Sequence, residues 1–313
     1  MSASFVSALG AARDAAASQH YPQGALYVVA TPIGNLADIS LRALHVLQLV
    51  DAVACEDTRH THALLRAYGI DKSGGQLLAL HQHNEAEAAQ GVVARLRLGQ
   101  RIAYASDAGT PAVSDPGARL VAAVRAAGLR VLPLPGASSV TAALSVAGSV
   151  ADADDNSFVF AGFLPPKATE RDAAVLALAA EPRAVVLLEA PHRIEALARA
   201  LAALGERVVT VARELTKQFE EIDTVPAAAL TGWLAAQPQR LRGEFVLVLH
   251  AAPVAEREAI DPRVLKLLLA ELPLKTAVKL AADITGEPRN ALYELGLSLR
   301  AAAAADTPPD AAP

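Results

Sequence analysis

From Gly24 onward, short apolar runs alternate with longer stretches in which apolar residues recur every three or four positions. Short runs of this kind read as strands, and the longer period reads as helices with one face turned to a core. The pattern predicts strands at Leu26–Ala30, Ala52–Cys55, Leu77–Leu80, Arg101–Tyr104 and Arg130–Leu134. Between them it predicts helices at Leu41–Val50, His60–Tyr68, Asn84–Leu98 and Arg119–Ala127. Such alternation implies an α/β fold, a parallel-rich sheet with helices on its faces.

Pro133, Pro135 and Gly136 break this rhythm, and Ser138 is placed to cap a helix over Val140–Val146. After the acidic loop Asp152–Asp155 a second series begins. Its strands are expected at Phe158–Ala161, Ala184–Glu189, Val208–Ala212, Glu221–Val225 and Glu244–His250, and its helices at Thr169–Ala180, Ile194–Leu204 and Ala227–Ala235. The later strands follow one another without a clear crossover helix, which predicts a mixed sheet. The expected division is a flexible tail over 1–22, an α/β domain over 23–135 and a second over 136–252. A linker at Pro253–Glu258 then leads into a helix-turn-helix-like appendage over 258–300, three short helices separated near Pro273 and Gly286–Pro288. The Ala/Pro-rich stretch 301–313 reads as disordered.

A chain of 313 residues is long enough for two packed cores, and 53% hydrophobic with 19% charged residues fits a globular protein. No apolar run approaches the length of a membrane span, and Arg13 and Asp14 interrupt the first twenty residues, so a cytoplasmic protein with no membrane partner is expected. Cys55 is the sole cysteine, which rules out an internal disulfide; at the end of an apolar run it reads as a small buried residue rather than a reactive thiol. A net charge of −5 argues against a large basic face, so a nucleic acid would have to be met by a local patch. The glycine-rich fingerprints of dinucleotide and nucleoside-triphosphate sites are missing, as is any closely spaced metal-ligand set; no metal is expected.

The richest stretch is ASDAGTPAVSDPG, Ala105–Gly117, a loop after a predicted strand. Gly109, Pro111, Pro116 and Gly117 impose turns, polar side chains supply caps, and a bare glycine lets a ligand approach backbone; this reads as a small-molecule site at a strand's carboxyl end. Its companions, in order, are ATPIGNLADIS (Ala30–Ser40), EDTRHT (Glu56–Thr61), LHQHNE (Leu80–Glu85), LPGASS (Leu134–Ser139), GFLPPK (Gly162–Lys167), LLEAPHRI (Leu187–Ile194) and ARELTKQFEE (Ala212–Glu221). Taken together they closely resemble the ribosomal RNA small subunit methyltransferase I family of the tetrapyrrole-methylase superfamily, over roughly Gly24 to Arg300. TPIGNLxDIS and SDAGTPxxSDPG are the most specific of these motifs.

The resemblance implies the two-domain tetrapyrrole-methylase fold and S-adenosylmethionine held in the cleft between the domains, largely by backbone groups. It maps the donor onto Ile33 and Gly34 of the first loop, Ala108, Gly109, Thr110 and Val113 of the second, Ser138 and Ser139 after the interdomain turn, and Phe160, Ala161 and Gly162 closing the cleft. Where tetrapyrrole enzymes carry G-P-G-D and G-G-D-P, this chain has Ile33-Gly34-Asn35 and Ala108-Gly109-Thr110-Pro111, a departure that matches the rRNA branch. The implied reaction is 2′-O-methylation of a cytidine in the decoding region of 16S rRNA, within the small ribosomal subunit, by a homodimer. Rival readings are a methyltransferase on a small acceptor, such as a tetrapyrrole or a modified histidine on a protein, and a non-catalytic ribosome-assembly protein.

Activating a ribose hydroxyl needs its proton removed or its oxyanion stabilised. Glu56, Asp57, Arg59, His83, Asn84, Glu85, Glu189, His192, Arg193, Glu214 and Lys217 all fall at or just past predicted strand ends, where a cleft would gather them. Roles stay open: Glu56, Asp57 and Arg59 suit either a helix start with an ion pair or a substrate contact, and His83 either a cap or a site. His192 and Arg193 suit a helix start or a phosphate contact, and Lys167 an exposed loop or a phosphate contact. In the appendage, Lys275, Lys279 and Arg289 are RNA-binding candidates, though six basic residues there face five acidic ones, and a solvated cap or dimer contact reads equally well.

Overall fold

The apolar runs of the first half become β1 (Ala25–Val29), β2 (Ala52–Cys55), β3 (Leu77–Ala79), β4 (Ile102–Ala105) and β5 (Arg130–Leu134). They form one sheet of order β3-β2-β4-β1-β5, and every pairing in it is parallel. Parallel strands covered on both faces need apolar side chains on both sides. Accordingly Tyr27, Val29, Val53 and Ala103 enter one core cluster, while their neighbours Leu26, Ala54, Ile102 and Tyr104 enter another on the opposite face. The computed structural model describes residues 5–81, 85–113, 117–148, 157–252 and 261–305.

The helices of this half are α1 (Val6–Ala16), α2 (Leu41–Leu49), α3 (Thr58–Ala67), α4 (Glu85–Arg97) and α5 (Ala118–Ala126). Helix α1 corrects the expectation of a flexible tail over 1–22. Phe5, Ala8, Leu9 and Ala12 recur at helical spacing and pack into the cluster that holds Leu44, Leu47 and Tyr68, with the Phe5 and Tyr68 ring centroids 5.6 Å apart. The small residues that weakened the apolar signal are what let α1 lie close against α2. Residues 1–4 lie outside the described residues.

Helix α6 (Ser139–Ala147) follows, with Ser138 at its N-cap position. The Ser138 side chain makes no capping bond, contrary to expectation; its carbonyl instead accepts from the Thr141 hydroxyl at 3.3 Å. The acidic loop 152–155 lies outside the described residues. The second sheet comprises β6 (Phe158–Gly162), β7 (Ala184–Glu189), β8 (Val208–Arg213), β9 (Glu221–Pro226) and β10 (Phe245–Leu249), in the order β6-β7-β10-β8-β9. Only β6 and β7 run parallel, so the sheet is mixed. Helices α7 (Ala168–Leu178), α8 (Ile194–Leu201) and α9 (Leu230–Ala235) cover one face with Val185, Leu187, Leu247 and Leu249. Helix α6 covers the other, where Val140 and Ala143 meet Val186, Val246 and Val248. Ile33, from the loop after β1, packs against this same cluster.

The chain divides into two compact units, the first ending at Ala252. The described part of the second consists of α10 (Pro262–Glu271), α11 (Leu274–Thr285) and α12 (Arg289–Ala305), packed around Leu265, Ala277, Val278, Ala281 and Leu292. Its three helices fall where the breaks at Pro273 and Gly286–Pro288 put them, but α12 is longer than expected and runs through 301–305. Consecutive alanines propagate a helix that is already nucleated, which explains the difference. The linker segment 253–260 and residues 306–313 lie outside the described residues.

Candidate functional site

In a parallel sheet all carboxyl ends open onto one edge, so the loops after β1, β2, β4 and β5 meet there. The loop after β1 and the loop after β4 are tied backbone to backbone: Thr31 N–H donates to Gly109 O and Gly109 N–H to Thr31 O, each at 3.0 Å. The Thr31 hydroxyl donates to Ser106 O at 3.2 Å and the Thr110 hydroxyl to Ala137 O at 3.1 Å, joining the turn after β5 to the same assembly. Gly109 has φ +80°, and a Cβ there would stand 3.3 Å from Ile33 Cγ2, so glycine satisfies both the left-handed backbone and the close approach. Ala112 also sits at φ +66°, a strained conformation for a side-chain-bearing residue and typical of a loop shaped by its site.

Against these loops stand the ends of β7 and β10, whose antiparallel register pairs Phe245 with Glu189. Between lies a cleft of about 390 Å³. Ile33, Ala108, Gly109, Thr110, Val113, Ser138 and Ser139, all expected to hold the donor, line it. Gly34, Phe160, Ala161 and Gly162 do not line it. Gly34 lies under the Lys217 side chain, Phe160 and Ala161 are turned into the two cores of the second sheet, and Gly162 forms a bulge at φ +63°. Phe163, one residue further, lines the cleft in their place and is half exposed.

Four carboxylates line the cleft, from Glu56, Asp107, Glu189 and Glu244, and among the described lining residues there is no Lys, Arg or His. Asp107 accepts the Asp57 backbone N–H at 3.3 Å. Glu189 is almost fully buried; its Oε1 accepts the Ala190 N–H at 2.9 Å and stands 3.0 Å from Arg193 Nε. The Arg193 Nη2 in turn donates to the Leu164 carbonyl. Arg193 is therefore engaged inside the protein, while His192 beside it is exposed.

Asp57 does not line the cleft. It caps α3 by accepting the Arg59 N–H at 2.8 Å and pairs with the exposed Arg59 guanidinium at 2.7 Å; this hydrogen bonding holds its carboxyl well below the usual range. Glu85 is buried and accepts the N–H groups of Gly117 and Arg119 at 3.0 and 3.2 Å, supplying the start of α5 with the acceptor its first turn lacks. His83 and Asn84 lie outside the described residues. Lys167 is exposed and paired with Glu170 at 3.0 Å. Cys55 is buried at the end of β2, and burial pushes its thiol up. In the second unit Lys275 and Lys279 are exposed on α11, and Arg289 pairs with Asp283 at 3.1 Å.

Glu214 and Lys217 stand together at one side of the cleft. Lys217 Nζ donates to Glu214 Oε1 at 2.8 Å and to Glu244 Oε2 at 3.0 Å. Burial works against the charge on each, yet these bonds overcome it: Lys217 is held above its ordinary value and Glu214 below. Glu244 and Phe245 were read from sequence only as strand residues. They reach the cleft because β10 pairs with β7 and β8, a long-range register that local periodicity does not carry. Among the described residues no group of three or more His, Cys, Asp or Glu side chains is arranged to hold a metal ion.

Residues 25–231 match the family model of tetrapyrrole (corrin/porphyrin) methylases, and residues 256–300 match that of the RsmI C-terminal HTH domain. The chain is 49% identical to ribosomal RNA small subunit methyltransferase I of Escherichia coli O157:H7 over 279 residues, 88% of this chain and 95% of that one. The protein of the same description from Pseudomonas aeruginosa is 48% identical over 280 residues, 88% of this chain and 97% of that one. Among solved structures, cobalt precorrin-4 methyltransferase, a cobalamin biosynthetic enzyme, aligns with a TM-score of 0.54 at 18% identity, covering 74% of this chain and 98% of that one. Diphthine synthase aligns with a TM-score of 0.55 at 15% identity, over 72% of this chain and 90% of that one. These two share the fold.

Proposed function

The chain belongs to the ribosomal RNA small subunit methyltransferase I family within the tetrapyrrole (corrin/porphyrin) methylases, and from that premise we propose that it methylates ribosomal RNA with S-adenosylmethionine as donor. The specific reaction we assign is 2′-O-methylation of a cytidine in the decoding region of 16S rRNA, on the small ribosomal subunit. The cytoplasmic setting and the homodimeric state that the resemblance implies belong to the same reading.

One observation carries it: a cleft at the carboxyl edge of a parallel sheet, with bare backbone at Gly109 and four carboxylates among its lining residues. Bound there, S-adenosylmethionine supplies an electrophilic methyl group on a positively charged sulfur. The donor's sulfonium and ammonium charges suit an acid-lined cleft, and Gly109, Ala108, Thr110, Ser138 and Ser139 offer backbone and hydroxyl groups at close range. Glu189 is paired with Arg193 and Glu244 with Lys217, so among the lining carboxylates we assign Glu56 or Asp107 to take the ribose hydroxyl proton, and holding the two reactants in line supplies much of the rate.

The same acid lining repels phosphate, so RNA is gripped outside the cleft. His192, next to the lining residue Pro191, Lys167 at the start of α7, Arg59 on α3, and Lys275, Lys279 and Arg289 of the second unit are the residues we assign to that contact. Few contacts on a structured particle fit a chain of net charge −5. Incubating the protein with methyl-labelled S-adenosylmethionine and one of three acceptors, isolated small subunits, free 16S rRNA or a tetrapyrrole, tests the reading. Label is expected on subunit RNA; label on the tetrapyrrole alone would overturn the assignment.

A further inference from the structure

Lys217 touches both walls of the cleft. Its aliphatic stem lies over Gly34 of the loop after β1, so closely that a Cβ on Gly34 would stand 2.4 Å from Lys217 Cγ and 2.9 Å from Cε. Its ammonium is fixed on the other side by Glu214 and by Glu244, which lines the cleft. Ile33 beside Gly34, and Leu215 beside Glu214, line the cleft as well. The segment that presents Lys217 is strained: Glu214 has φ +53° and Thr216 φ +67°, both left-handed without being glycine. Such conformations persist where neighbours over-determine them. Here Glu214 N–H donates to Glu244 O at 2.9 Å, Thr216 N–H to Glu220 Oε2 at 2.6 Å and Lys217 N–H to Glu214 O at 3.0 Å. Gly243 leaves the room, since a Cβ there would stand 2.4 Å from Glu214 Cγ.

We propose that Lys217 is a positioning residue that clasps the loop after β1 to the start of β10 and so sets the width of the donor cleft. Its cation also lets Glu214 and Glu244 stand together; without it two carboxylates would repel and push the Glu244 wall outward. This inference rests on the reading of the cleft as the S-adenosylmethionine site. A donor touching both walls is held by their separation, so the clasp acts on donor affinity before it acts on the chemical step.

The test measures S-adenosylmethionine affinity by calorimetry, and KM and kcat on small subunits, for the wild type, Lys217→Met, Lys217→Arg, Gly34→Ala, Lys217→Ala and the Gly34→Ala/Lys217→Ala double variant. Lys217→Met keeps the stem and loses the charge; donor Kd and KM are expected to rise about tenfold with kcat falling less than about threefold, and Lys217→Arg to recover most of the loss. Gly34→Ala displaces the stem and is expected to weaken donor binding about as much, but to add little once Lys217→Ala has removed the stem. Glu244→Gln, a change at an exposed side chain that spares the fold, is expected to reproduce part of the Lys217→Met effect. Wild-type donor affinity in Lys217→Met, or losses that multiply in the double variant, would overturn the clasp while leaving the donor site intact. A wild-type protein that binds no S-adenosylmethionine would overturn the donor site itself, and the clasp with it.

Discussion

Arg193 Nε stands 3.0 Å from Glu189 Oε1, and the Glu189 side chain is 1% exposed against 23% for Arg193. A basic pair after a strand suits a phosphate contact when read from sequence alone, yet Arg193 spends its guanidinium on a buried carboxylate and on the Leu164 carbonyl. Removing one member of such a pair leaves a buried charge without its partner. Arg193→Ala is therefore expected to cost about 3 kcal/mol of stability by chemical denaturation. The salt dependence of subunit binding by the folded variant should match the wild type, whereas a slope shallower by about one unit would show that Arg193 meets phosphate after all.

Gly109 combines φ +80° with a 3.3 Å approach to Ile33 Cγ2. A β-branched side chain suits neither the backbone nor the space. Gly109→Val is expected to abolish most S-adenosylmethionine binding in calorimetry, with a thermal transition still present because the loop lies at the edge of the sheet. Unchanged affinity would place the donor elsewhere.

Tyr68 connects the fold of the first half to the loop after β1, its hydroxyl donating to Leu36 O at 2.6 Å. Burial, with the nearby Asp38 charge, pushes its phenol up to about 12. In the unfolded chain the phenol ionises near pH 10, so the unfolded state loses its proton first and the stability Tyr68 contributes falls as pH rises from about 10 to 12. Tyr68→Phe should cost about 1 kcal/mol at neutral pH, and its deficit relative to wild type should shrink across that alkaline window. A deficit constant from pH 8 to 12 would contradict the assignment.

The second unit, with its own core around Leu265 and Val278, is separable by structure. A chain ending at Ala252 is expected to fold and to bind S-adenosylmethionine at wild-type affinity, yet to methylate small subunits at least about tenfold more slowly, since positioning of a macromolecular acceptor is lost. Full-rate methylation by the shortened chain would remove Lys275, Lys279 and Arg289 from RNA recognition.

The strands and helices from Gly24 to Ala252 were legible because each buries a face in a local period: the alternation of Leu26 and Val28 with Tyr27 and Val29 is written in the sequence and realised in two separate cores. Helix α1 was not, because alanines at its contact positions carry little apolar signal. The loop with Gly109 announced itself through glycine and proline, residues whose backbone demands are local. Glu244 and Phe163 gave no such sign. They reach the cleft only through the pairing of β10 with β7 and the bulge at Gly162, long-range consequences of packing. Asp57 and Arg59 show the converse: the sequence suited both a helix start and a substrate contact, and only the structure shows that Asp57 caps α3 away from the cleft while the Arg59 guanidinium stays exposed beside it.

The central claim is tested most directly by mass spectrometry of 16S rRNA from small subunits of cells lacking this gene, before and after treatment with the purified protein and S-adenosylmethionine. One decoding-region cytidine is expected to lack a methyl group in the untreated subunits and to gain the mass of one methylene on its ribose after treatment. A mass gain on a base, a gain on another molecule with the rRNA unchanged, or no difference between the two samples would contradict it.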